Sequence, residues 1–124
     1  MILTVLVMAA ALETVAAPVD ARFAPLLKSE RGFARLGPVG PFYPEKASRR
    51  RQEGEVVLDC FVAATGLLTK CKIRSETPAK YDFGVAARVM ADRGRVLAPE
   101  SATVGAPIAV RVPFVLGAPV EVAP

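Results

Sequence analysis

From Glu55 to Val62 apolar and polar residues alternate: Val56, Leu58, Cys60 and Val62 fall on one face, Glu55 and Asp59 on the other. A period of two marks a half-buried strand. Ala63-Ala64-Thr65-Gly66 follows, with Gly66 able to take the positive φ of a tight turn. The pattern then resumes, Cys71 and Ile73 on one face and Lys70, Lys72 and Arg74 opposite. The expectation is a β-hairpin. Leu68 stands three residues before Cys71, so keeping both side chains inward calls for a bulge near Thr69 and Lys70.

After Ser75-Glu76-Thr77-Pro78 the period changes to that of a helix, which Asp82 is placed to cap. Phe83, Ala86, Ala87 and Met90 share one stripe, Val85 and Val89 broaden it, and Asp92-Arg93-Gly94 ends it. Phe83 and Met90 are read as core, not as cofactor contacts. Val96-Leu97-Ala98-Pro99 is a short extended piece and Glu100 to Pro107 a loop. The run from Ile108 to Leu116 reads as a strand with Ile108, Val110, Val112 and Phe114 on one face. Pro113 cannot donate to a ladder, so this strand is expected at a sheet edge with the Pro113 nitrogen outward.

Upstream, Pro44 suits a first helical position, and Glu45 suits the positive end of a helix dipole. Arg49, Arg50 and Arg51 suit the negative end, with Gly54 as the stop, which predicts two to three helical turns. Such a triple-Arg run ordinarily makes a solvated helix end; its sharper reading is contact with lipid phosphates or an acidic partner. Without interleaved aromatics it makes a poor nucleic-acid surface. From Arg22 to Pro41 the chain is broken by Pro25, Gly32, Gly37, Pro38 and Gly40, and reads as a linker or irregular arm rather than a core element. The order helix, hairpin, helix, strand (α-β-β-α-β) predicts an α+β two-layer sandwich: an antiparallel sheet of about three strands, covered on one face by helices.

That places a folded domain at residues 41–116, an arm at 18–40 and an Ala/Pro/Val tail at 117–124. Ahead of the arm, Ile2 to Leu12 is apolar except for Thr4 and spans only about 16 Å as a helix, against a hydrocarbon core of ~30 Å. Followed by Thr14-Val15-Ala16-Ala17, residues 1–17 are read as a secretory signal cut between Ala16 and Ala21, with a retained anchor or an ordinary buried helix as the alternatives.

Composition narrows the chemistry. The 124 residues suffice for one small domain, and 16 Lys and Arg against 12 Asp and Glu give a net charge of +4, a mild basic excess. The chain has no His, which removes His-based acid/base catalysis, Ser-His-Asp and Cys-His nucleophiles and His metal sites. Glu53, Glu55 and Asp59 are carboxylates without an evident cleft partner, so no enzyme, cofactor or metal is expected. The two cysteines, Cys60 and Cys71, lie symmetrically about the Thr65/Gly66 turn, opposed or near neighbours on the inner face. In an exported chain that placement suits a disulfide, and two buried free thiols are the alternative. The spacing fits neither C-x-x-C nor a zinc site.

The stretch from Tyr43 to Leu116 resembles the C-terminal domain of the TonB family, energy transducers that link the inner membrane to outer-membrane transporters. The resemblance rests on Tyr43-Pro44 with Ala47, on Gly54 and Val56, on Gly66, and on Phe83 with Ala86-Ala87. It continues through Pro99 and Gly105-Ala106-Pro107-Ile108 into Val110, Val112 and Phe114. Arg95-Val96-Leu97-Ala98-Pro99 stands where the family has Trp-x-Phe-x-Pro, and the cysteines stand where it commonly has apolar residues. The resemblance implies a periplasmic interaction domain whose last strand accepts an extended transporter N-terminal peptide, or another envelope protein, by β-augmentation. Ile108, Val110, Arg111, Val112 and Phe114 would form that edge, with Arg111 meeting an acidic residue of the peptide, and Arg49, Arg50 and Arg51 would offer further partner or membrane-surface contact. Three alternatives stand beside this: an edge protected by Pro113 that binds nothing, a homodimer through the edge, and an accessory periplasmic protein without a transport role.

Overall fold

The computed structural model describes residues 17–117. The expected signal segment up to Ala16 and the tail from Ala118 onward lie outside the described residues. The chain runs through β1 (Val19–Asp20), β2 (Arg22–Phe23), 3-10 turns (Lys28–Phe42), α1 (Glu45–Arg49), β3 (Gly54–Val62), β4 (Leu68–Thr77), α2 (Phe83–Asp92), β5 (Val96–Leu97) and β6 (Pro107–Phe114). The main sheet has the order β1-β6-β3-β4, and β2 pairs with β5 in a separate ribbon. The α+β class holds, with four strands in the main sheet where about three were expected.

The hairpin forms as its alternation predicts. Val56, Leu58, Cys60 and Val62 are all buried. Leu68 and Cys71 are both buried as well, and the register between β3 and β4 slips between Asp59 and Phe61, where Lys70 sits at φ 53°. That is the bulge the spacing demanded. A second slip, between Val57 and Leu58, leaves Arg74 as the extra residue. Cys60 and Cys71 are joined in a disulfide. Ile73 faces the same way as Cys71 and lies against Gly84 of α2, but it remains 37% exposed because β4 is the border of the sheet.

α2 lays Phe83, Ala87 and Met90 onto the sheet, and Val85, expected to broaden the stripe, is instead 58% exposed. Two residues past Phe83 the helix has turned by about 200°, which carries Val85 to the solvent side. Asp82 stands at the N-cap as expected, but its backbone is left-handed (φ 64°) and its carboxylate makes no cap hydrogen bond, since capping needs an extended backbone there. The other end is closed by Gly94 at φ 71°, with Gly94 N–H donating to Ala91 O and Arg95 N–H to Met90 O, a Schellman arrangement.

Three aromatic rings hold the layers together. Phe83 lies 4.9 Å from Phe114 and 5.9 Å from Tyr43, and Tyr43 lies 5.8 Å from Phe114, the Tyr43 pairs meeting edge to face. Burying each such ring stabilises by about 1.5–3 kcal/mol. Gly54 was expected to stop the first helix. It begins β3 instead, where a Cβ would lie 2.4 Å from Phe83 Cε2 and 2.7 Å from Thr77 O. α1 is accordingly shorter than the predicted two to three turns and ends through Arg51 at φ 53°, with Gln52 N–H donating to Ala47 O.

The largest departure is the stretch from Arg22 to Pro41, expected outside the core. Val39 is fully buried, and Phe23 and Leu36 pack against the core. Prolines and glycines exclude long regular elements, but they permit 3-10 turns that press single apolar side chains inward. Arg95 pins this stretch. Its guanidinium donates to both Glu30 oxygens at 2.6 Å, its carbonyl accepts from Ala24 N–H, and Arg93 and Arg95 lie over the Phe42 ring.

Candidate functional site

A sheet offers recognition through the main-chain groups of its border strands. On β6 the register against β3 runs without a break from Gly54↔Phe114 to Phe61↔Pro107, so alternate residues turn their N–H and C=O groups to the outer side. Arg111 is an outward residue, because its carbonyl accepts from Ala21 N–H at 3.1 Å. Pro107, Ala109 and Pro113 are therefore outward too. The Pro113 nitrogen faces out as expected, and Pro107 does the same at the other end. Ala109 and Arg111 are left as the outward N–H donors of the strand.

This border was expected to be free, and it is not. β1 adds to it in parallel, Val19 opposite Val110 and Asp20 opposite Arg111. Arg111, expected to meet a partner's carboxylate, is engaged by Asp20 at 2.8 Å and Glu55 at 3.5 Å. Val110, Val112 and Phe114 are fully buried, so their side chains belong to the core rather than to any partner; Ile108 is partly buried against it. What β6 presents is main chain plus one guanidinium.

Arg49, Arg50 and Arg51 are exposed and form no ion pair among the described residues. The structure disperses them. Arg49 lines a shallow groove with Pro44, Glu45, Lys46, Asp82 and Val85 at the start of α2, whereas Arg51 shares a cleft with Arg35, Ser48 and Leu116, just past the end of β6. Residues missed by the sequence reading are Val19 and Asp20, whose two-residue strand is too short to show a period.

Two groups titrate away from their ordinary values. The hydrogen bond from Arg95, aided by Leu27 N–H, holds Glu30 below the usual carboxylate range. Burial raises Tyr43, with the nearby Glu53 charge adding to it, and its hydroxyl donates to Gln52 O. Neither lies on the β6 border. Among the described residues no cluster of His, Cys, Asp or Glu could hold a metal ion, and no helix is long and apolar enough to cross a membrane.

A helix-backed sheet with shallow surface grooves places the molecule among small α+β two-layer domains. Residues 39–116, more than half of the chain, match the family described as Gram-negative bacterial TonB protein C-terminal. The chain belongs to that family, whose domains are periplasmic, non-catalytic protein-interaction modules linked to energy-coupled transport. No curated protein matches the chain.

Proposed function

We propose that this chain is an exported, periplasmic interaction domain that takes an extended N-terminal peptide of an outer-membrane transporter, or of another envelope protein, along the outer border of β6. One observation carries the reading: that border already receives main chain, Val19 to Ala21, in regular parallel register. A strand that accepts one extended segment has the geometry to accept another. Pro107 and Pro113 limit the added ladder to the few residues facing Ala109 and Arg111. Backbone pairing then supplies orientation, and Arg111 supplies the charge.

Titrating the isotope-labelled chain with synthetic peptides of transporter N-termini tests this. The expected result is amide shifts in β6 and in Val19–Ala21. Shifts confined to Arg49–Arg51 would overturn it and favour an accessory protein that binds its partner through the exposed arginines at the end of α1.

A further inference from the structure

We propose that Val19–Ala21 is a removable cover on β6, and that the segment displacing it runs parallel to β6 with an apolar residue opposite Val110 followed at once by an acidic residue opposite Arg111. This rests on β6 being the recruiting border.

The cover is lightly held. Val19 is 41% exposed, and the Asp20 side chain is 82% exposed even while it pairs with Arg111 at 2.8 Å. Exposed ion pairs of this kind hold little. The ladder also stops early, since the next outward position after Arg111 is Pro113, which has no N–H to offer Ala21. There the chain leaves β6 and joins β5.

Its base is held far better. Arg22 and Phe23 pair with Leu97 and Val96, Arg22 Nε donates to Ala98 O at 2.8 Å, and Phe23 packs against the core. Ala24 N–H then donates to Arg95 O at 2.9 Å. A loose tip on a fixed base can leave β6 without unfolding the domain, and it returns as an intramolecular competitor at high effective concentration.

The cover also shows what chemistry the border selects. Paired residues share a face of the sheet, so Val19 lies on the core side with Val110, and Asp20 lies on the opposite face with Arg111. Glu55 at 3.5 Å steadies the guanidinium from β3. Because the prolines leave only two outward donors, main-chain pairing cannot discriminate among segments, and the charge opposite Arg111 does. An acidic residue there replaces Asp20; a basic one faces Arg111 and is repelled.

The test uses the full chain, an Asp20→Lys variant, and two synthetic peptides: the chain's own Ala17–Pro25 sequence and the same peptide with its aspartate changed to lysine. Asp20 is exposed, so the variant keeps the fold, which circular dichroism checks. With the cover repelled, the acidic peptide should bind Asp20→Lys about threefold to tenfold more tightly than it binds the unaltered chain, with amide shifts along β6, while the lysine peptide binds neither. Equal affinity for both chains, with shifts on β6, would overturn the cover and leave the recruiting border standing. Absence of β6 shifts with either peptide and with the transporter peptides would overturn both. In a further Arg111→Glu variant the preference between the two peptides should reverse; a preference left unchanged would overturn the role given to Arg111.

Discussion

Along β6 the register against β3 is unbroken, the strand is bracketed by prolines, and a separate segment lies over its outer side. Along β4 the register slips twice, the exposed lysines Lys70 and Lys72 stand on the strand, and Arg74 is tied across to Asp59 at 2.6 Å. Among the described residues β4 has no strand partner on its outer side; next to it only Leu67 bridges to Leu97. Both borders are guarded against indiscriminate pairing, by different means. The guard on β4 is part of the strand itself, since bulges and lysines spoil a flat template. The guard on β6 is a detachable piece of chain. A border distorted in its own backbone can be opened only by refolding the strand, whereas a covered one opens when its cover leaves. This is why the straighter border is the one assigned to recruitment.

The strongest challenge to this contrast is Phe114→Ala. Phe114 is fully buried under β6 between Tyr43 and Phe83, so the substitution should cost about 3–5 kcal/mol in urea denaturation. A loss below about 1 kcal/mol would mean that β6 itself, and not merely its cover, is loosely held.

Next in size is removal of the staple under β4. Replacing both Cys60 and Cys71 by Ala opens a loop with a sequence separation of 11, worth at most about 3 kcal/mol in the chain-entropy account. Amide exchange should then rise more in β4 than in β6. An equal rise in both strands would show that the two borders share one stability and would weaken the contrast.

The smallest effect concerns the base of the cover and depends on pH. Glu30 is held below its ordinary value chiefly by the Arg95 hydrogen bond. Its stabilising contribution is complete above the unfolded carboxylate value of about 4.3 and is lost as pH falls through the lower folded value. Glu30→Gln should flatten that acid limb and speed amide exchange at Ala21–Ala24 near neutral pH. An acid limb identical in the variant would remove Glu30 from the account of how the arm is anchored.

How far this was legible differs from element to element. The hairpin, its bulge at Lys70 and the inward set Val56, Leu58, Cys60 and Val62 could be read directly, because strand periodicity and its interruptions are local. So could the stripe of Phe83, Ala87 and Met90 and the helix end at Gly94. Gly54 was misread as a helix stop because a glycine required by a neighbouring ring looks, in sequence, like any other breaker. The arm was placed outside the core for a related reason: proline and glycine report what a segment cannot form, and are silent on whether Leu36 or Val39 finds a cavity to fill. For the site, β6, its outward Pro113 and the charged Arg111 were legible, but the occupant was not.

The residue order by itself determined the periodicities, the breakers, the absence of histidine chemistry and the family resemblance, all of which depend on neighbours along the chain. The pairing of Asp20 with Arg111 was decided only in three dimensions. Two residues carry no period and a lone aspartate carries no address. Their meeting depends on β2 docking against β5, which brings Val19 to the border of β6 across most of the length of the chain.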